Sequence, residues 1–94
     1  MTISAGLVAD TTLRASGQVC RVHWINISNN STAGTAGHII IEDGAGGDLL
    51  RIPFASSDDQ NVFISFPEPL RSESGLIINF VTVTNAIVDV GWEG

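Results

Sequence analysis

The sequence lacks lysine entirely and is poor in charged residues and in cysteine. Its four basic residues are all arginines, and together with ten acidic residues they give a formal charge of −6. Because an acidic chain repels phosphate, we expect no nucleic-acid partner, and no polybasic segment is present to bind a membrane surface. Soluble β proteins often protect exposed sheet edges with lysine. The edges here must instead be covered by loops, by short strands or by another subunit.

Two further absences concern the compartment in which the chain is made. Cys20 is the only cysteine, so no disulfide forms within one chain and the redox compartment stays open. The N-terminal stretch lacks the basic region and the apolar core of a signal peptide. No apolar run approaches the roughly 18 residues that cross a bilayer. We therefore expect a soluble protein that is made in a cytoplasm and has no membrane partner.

The composition indicates one small folded domain that spans residues 1–94. Hydrophobic residues make up 44% of the chain and charged residues 15%, which argues against disorder. A chain of this length buries only about 60–65% of its unfolded surface, so its core is modest. Some apolar side chains are therefore expected at contacts between subunits.

The clearest element is a predicted hairpin. Its two strands, His38 to Glu42 and Leu49 to Phe54, flank a glycine-rich turn. Glu42 and Arg51 face outward and could pair across the strands, and Pro53 indicates a sheet edge. No segment of the sequence shows the helical period of 3.6 residues.

The strand from Gln18 to Ser28 has an irregular pattern. Alternation puts Cys20 and Trp24 on one apolar face, but Asn26 then falls on that same face. A bulge near Ile25–Asn26 would explain the change, and so would partial cover of both faces.

The remaining segments bring the count to about eight short strands. Residues 1–16 form an edge strand, which we favour, or an arm that reaches a neighbour. A strand that begins at Val62 ends at Pro67. A central strand, Leu76 to Val83, turns back into Ile87 to Trp92 as a final hairpin. This pattern predicts an all-β fold, an antiparallel β-sandwich of jelly-roll type.

No spacing in the sequence favours catalysis or metal binding. Cys20 and His23 fall on opposite faces of a regular strand, so a thiol nucleophile and its base would not meet. His23 and His38 match no metal-ligand spacing. We therefore expect no enzyme, no metal and no cofactor.

The acidic and asparagine-rich loops leave weaker alternatives. Four aspartates could contribute to a calcium site, but the alternating ligand pattern of a calcium loop is missing, so we favour solvated turn carboxylates. The glycine-rich turn lacks the lysine and the following helix of a phosphate-binding loop. Three glycosylation sequons are interpreted as asparagines that form turns, because no secretory signal precedes them. The aspartates are Asp43, Asp48, Asp58 and Asp59, and the sequons begin at Asn26, Asn29 and Asn30.

The two tryptophans are the candidate interface residues. An exposed tryptophan often anchors a protein interface or stacks on a sugar. Alternation places Trp24 on the apolar face of its strand, which favours a core position. Trp92, near the C-terminus, fits a core lid and an interface anchor equally well.

Residues 20–90 carry a characteristic order of segments. The strand CRVHWINIS and a small polar loop are followed by IIIEDGAGGDLLRI, by VFISFPEPLRSESGLIINF and by a last segment VTVTNAIVDV. This order resembles small virion proteins of tailed bacteriophages, including those of marine and cyanobacterial phages.

The resemblance implies a capsid decoration, or cement, protein that binds the assembled head and stabilises it. Such proteins are commonly jelly-roll-like β-sandwiches and homotrimers on the virion surface, with the major capsid protein as partner. The resemblance brings no catalytic motif and no contact residue to this sequence. The strong acidity and the missing lysine depart from it and leave the mode of docking open.

Three other functions remain as alternatives. A phage head-fibre or tail-appendage subunit with lectin-like binding to glycans or to the host surface would use Trp24, Trp92 and the polar loops. A cellular β-sandwich unrelated to phages fits the same composition. An enzyme would rest only on scattered cysteine, histidine and acidic residues.

Overall fold

The computed structural model describes residues 1–29 and 31–94, which form eight β-strands. Their bounds are Thr2–Leu7 (β1), Thr11–Arg14 (β2), Cys20–Asn29 (β3), Gly37–Glu42 (β4), Asp48–Phe54 (β5), Asn61–Ser72 (β6), Leu76–Val81 (β7) and Ala86–Glu93 (β8). None of the described residues is helical, so no helix among them has the length and apolar character needed to cross a membrane. The predicted all-β class is confirmed.

The strands form two antiparallel four-stranded sheets in jelly-roll order. Sheet A runs β1-β8-β3-β6, and sheet B runs β2-β7-β4-β5. The first strand pairs with the last, the second with the seventh, the third with the sixth and the fourth with the fifth. One long hairpin, with its tip between β4 and β5, gives this order when it is wrapped into two layers. The predicted jelly-roll-like β-sandwich is therefore confirmed.

The core lies between the sheets and is built from alternate aliphatic side chains. Ile25 and Ile27 of β3 are fully buried from sheet A, and Ile39 and Ile41 of β4 are fully buried from sheet B. Burying one such side chain contributes about 1.5–3 kcal/mol. The hydrophobic faces of β3 and β4 thus hold the two layers together.

The β4–β5 hairpin forms as predicted, with β5 and its Pro53 at the edge of sheet B. The pair that the sequence allowed between Glu42 and Arg51 does not form. The register shifts after Ile41, so Glu42 lies opposite Asp48. Arg51 contacts Asp48 instead, at 3.2 Å between Nη2 and Oδ2.

The predicted final hairpin is wrong, because β7 and β8 lie in different sheets. β7 is a central strand, as expected, but its neighbours are β2 and β4, whereas β8 lies between β1 and β3. The link between them bends at Thr82 and Asn85, whose φ angles are 68° and 59°. Alternation shows which face of a strand is buried and does not show which strand it pairs with.

The four edge strands lack lysine and are shielded in other ways. Residues 1–16, for which the sequence left an edge strand or an arm open, form the short edge strands β1 and β2 in different sheets. β5 carries Pro53, which cannot donate to a further strand. β6 does not end at Pro67 as predicted but continues to Ser72, and its irregular pairing with β3 interrupts that edge.

A bulge in β3 exchanges the two faces of the strand. The pairing of β3 with β8 shifts between Val22 and Trp24, which leaves His23 as the extra residue. Cys20 and Val22 are therefore buried, whereas Trp24 points away from the core. The bulge predicted near Ile25–Asn26 is wrong, and the core position expected for Trp24 is wrong for the same reason.

Candidate functional site

Four apolar side chains lie together on the outer face of sheet A. We call Met1, Ile3, Trp24 and Phe63 the apolar patch. Met1, Ile3 and Phe63 are 69%, 63% and 58% exposed, and Trp24 is partly buried. The ring centroids of Trp24 and Phe63 are 6.0 Å apart, with the planes tilted by 33°. Exposed clusters of this kind mark interaction surfaces.

Gly91 forms the floor beneath the apolar patch. It lies opposite Ile3 of β1 on one side and opposite Trp24 of β3 on the other. A Cβ at this position would collide with the Trp24 indole and would lie 2.9 Å from Met1 Sδ. A glycine within a strand often marks such a close approach. The missing side chain therefore lets the indole settle against the backbone of β8.

No charged side chain belongs to the apolar patch, and two acidic side chains of the same sheet have partners elsewhere. Asp89 Oδ1 accepts a hydrogen bond from the Gly6 N–H at 2.8 Å. Glu93 Oε1 lies 3.0 Å from His23 Nε2. A contact between such partly exposed side chains contributes at most about 1 kcal/mol, so it orients the side chains more than it stabilises the fold. The four side chains of the patch are thus uncharged, although the protein as a whole is acidic.

Trp92, the second candidate interface residue, lies in the core with only 8% of its surface exposed. Its Nε1–H donates to Ser4 Oγ at 3.1 Å, which ties β8 to the edge strand β1. Of the two roles that the sequence left open for Trp92, this position matches the one in which the side chain covers the core. Only Trp24 therefore carries the interface prediction further.

The cysteine and the two histidines are kept apart. Cys20 is fully buried, and burial raises the pKa of its thiol while the Arg14 charge lowers it in part. A thiol with a raised pKa is a poor nucleophile. His23 faces outward to Glu93, and His38 lies in the other sheet. Among the residues that the structure describes, no three histidine, cysteine, aspartate or glutamate side chains lie close enough to hold a metal ion.

The glycine-rich turn is organised by Asp43. Its Oδ1 accepts from the N–H groups of Ala45 and Gly47, both at 2.9 Å. Gly46 has a φ of 90°, which glycine adopts without a steric penalty. These backbone donors are already engaged, so the turn carboxylate is structural. The other three aspartates considered for calcium are exposed: Asp48, Asp58 and Asp59.

A buried polar cluster ties loops together at one end of the sandwich, and the sequence did not indicate it. Asn29 Nδ2 donates to Ser56 Oγ at 3.2 Å, and the Ser56 hydroxyl donates to the Thr84 carbonyl. The turn interpretation is wrong for the sequons at Asn26 and Asn29, because both asparagines lie within β3. The sequon that begins at Asn30 lies outside the described residues.

Two open concavities lie on the surface of the sandwich. One, of about 500 Å³, lies where β4 begins and β5 ends, and it includes His38 and Pro53 in its lining. The other, of about 510 Å³, lies along β6 and has Arg21 and Arg71 at its rim. The alternation of single strands gave no sign of either, because each is assembled from more than one strand.

No protein family, no curated protein and no solved structure matches the chain. The fold class therefore rests on the strand order itself. The surface features that bear on function are the apolar patch and the groove along β6.

Proposed function

We propose that this chain is a structural protein of a bacteriophage virion, a capsid decoration protein that assembles as a homotrimer and binds the assembled head. The resemblance in segment order and the jelly-roll strand order support the proposal. The observation that carries it is the apolar patch, which a single chain leaves in water. A protein that binds the assembled shell and not its free subunits shifts the equilibrium toward the intact shell.

The occupant that we propose for the apolar patch is a second copy of this chain. Two identical chains that each carry a formal charge of −6 repel one another over most of their surface. The patch minimises that repulsion because its four side chains are uncharged. Aromatic residues also dominate the energetics of many interfaces. Trp24 and Phe63 would therefore form the centre of the contact between copies.

Self-association would strengthen binding to the capsid. Linked copies engage neighbouring major capsid proteins at a high effective concentration, so individually weak contacts add up to stable attachment. The protein would be made in the host cytoplasm and would lie on the outer surface of the virion. Its acidic surface would discourage association with the viral DNA.

Light scattering coupled to size-exclusion chromatography tests the self-association. We expect the wild type to elute as a trimer and the Phe63→Ser and Ile3→Ser variants to dissociate at concentrations where the wild type stays assembled. Val8→Ser is the matched control, because Val8 is 69% exposed and lies outside the apolar patch. A wild-type monomer at micromolar concentration would contradict the proposal.

Cryo-electron microscopy of the parent virion tests the capsid role separately. We expect density for the jelly roll on the outside of the head, with the apolar patch turned toward neighbouring copies. Purified heads that lack the protein should bind it and should then resist heating better. A trimer in solution together with no density on the head would remove the decoration role and leave the oligomer intact.

A second function, glycan binding by a fibre or tail-appendage subunit, is favoured by one observation. The exposed Phe63 and the partly buried Trp24 offer an aromatic surface on which a sugar ring could stack. The two functions exclude each other at this surface, since an indole buried between copies is not free to bind sugar. A glycan array probed with the assembled protein, with Trp24→Ala as the comparison, distinguishes them.

A further inference from the structure

The pairing of β6 with β3 breaks at the two prolines of β6. Residues 66–69 of β6 lie opposite His23 alone. Pro67 and Pro69 fall within this stretch, and neither has an N–H with which to continue the ladder. Bulges of this kind re-aim side chains and are common next to binding sites. The break therefore creates a place on sheet A where side chains can surround a ligand.

A groove of about 510 Å³ follows the break. Its lining consists of Arg21, Phe66, Glu68, Pro69, Leu70 and Arg71. Phe66 and Leu70 are partly buried against the core, so they form a fixed apolar floor. Glu68 is exposed and supplies the only carboxylate of the lining. The groove thus combines an apolar floor with charged walls of both signs.

Two of the four arginines of the protein stand side by side at this groove. Arg21 and Arg71 lie directly opposite each other on neighbouring strands, an arrangement of like charges that destabilises a sheet. Arg71 Nε contacts Glu73 at 3.4 Å. Arg21 lies opposite Glu93 of β8, but the Glu93 carboxylate contacts His23 instead. Within the described part of the chain Arg21 has no ion-pair partner.

We propose that this groove binds a carboxylate carried on a sugar ring, as in a uronic acid. Each guanidinium offers a planar fork of N–H donors that matches a carboxylate, so Arg21 and Arg71 hold the acid group from two sides. Glu68 accepts hydrogen bonds from the ring hydroxyls. Phe66 and Pro69 pack against the C–H face of the ring.

The lining distinguishes this ligand from simpler anions. A phosphate dianion carries about twice the charge of a carboxylate, so Glu68 and Glu73 beside the arginines repel it more strongly. A small carboxylate such as acetate would leave Glu68 and the apolar floor unused. The groove shares no residue with the apolar patch, so the inference rests on different side chains from those that carry the proposed capsid role.

Titration of the ¹⁵N-labelled protein with methyl glucuronide, followed by NMR, tests the inference. We expect shift changes concentrated at the amides of Arg21, Phe66, Glu68, Leu70 and Arg71. Arg21→Gln and Arg71→Gln should each weaken binding by about tenfold or more, because a hydrogen bond to a charged group is worth about that much in affinity. Arg51→Gln is the matched control: Arg51 is equally exposed but lies in sheet B beside Asp48.

Three comparison ligands make the outcome decisive. Methyl glucoside, which keeps the ring without the acid, and acetate, which keeps the acid without the ring, should both bind more weakly than methyl glucuronide. Sulfate should also bind more weakly. Equal responses to sulfate and methyl glucuronide, tighter binding of an acidic peptide, or shift changes that the arginine substitutions do not reduce would each overturn the assignment.

Discussion

Two isoleucines that point away from the core have opposite surroundings. Ile40 of β4 is 2% exposed on the outer face of sheet B, whereas Ile3 of β1 is 63% exposed on the outer face of sheet A. Ile40 lies between Arg51 and Asn79 on the neighbouring strands, and long polar side chains cover apolar surface with their stems. Ile3 lies beside Gly91, which has no side chain to cover it.

The difference indicates which face of the sandwich is made for contact. Asn79 Nδ2 donates to Glu42 Oε2 at 3.1 Å, so hydrogen-bonded polar side chains close the outer face of sheet B. On sheet A the bulge at His23 turns Trp24 outward instead of covering the face with polar groups. One jelly roll thus presents one outer face where polar side chains cover Ile40 and another where apolar side chains stay open, and a partner gains more hydrophobic free energy on the second.

The largest expected effect compares the two isoleucines directly. Ile40→Ala should lower the free energy of unfolding by about 2–5 kcal/mol, because it leaves a cavity in a covered site. Ile3→Ala should change it by no more than about 0.5 kcal/mol in dilute protein, because that side chain is already in water. Urea unfolding at low protein concentration measures both, and equal losses would show that the two outer faces do not differ.

A smaller effect tests the floor of the apolar patch. Gly91→Ala should cost about 1–3 kcal/mol, because the new methyl group collides with the Trp24 indole. The same substitution should cost less in a Trp24→Leu background, since the smaller side chain removes the collision. Chemical denaturation of the four proteins gives the coupling between the two sites. Additive costs would mean that the indole does not rest on Gly91.

The β4–β5 hairpin could be predicted because all of its information is local. Alternating isoleucines and a glycine-rich turn lie within one short stretch, and the strand bounds agree with prediction to within one residue. The pairing of β7 and β8 could not be predicted in the same way. Both strands show a clear alternation of apolar residues, but most of their sheet partners lie far away along the chain. β7 and β8 follow one another in sequence and yet lie in different sheets.

The candidate site was predicted only in part, and the bulge is the reason. A regular strand would have placed Trp24 in the core, so its exposure follows from one extra residue, His23. Phe63 could have been found, because alternation with the buried face of β6 already turned it outward. Ile3 and the arginine pair could not, since each depends on which strands become neighbours.

The smallest expected effect concerns the buried Cys20 thiol on the inner face of β3 and depends on pH. Burial raises the pKa of the Cys20 thiol above its ordinary value of 9.0, with Arg14 opposing the change. The folded state therefore holds this proton more tightly than the unfolded chain, so the associated stability is complete below about pH 9 and is lost as the pH rises through the folded-state pKa. Above about pH 9 the wild type should lose at most about 1.4 kcal/mol per pH unit from this group. Cys20→Ala should lack this contribution and show a flatter profile, and identical slopes for the two proteins would mean that burial does not raise the pKa of the thiol.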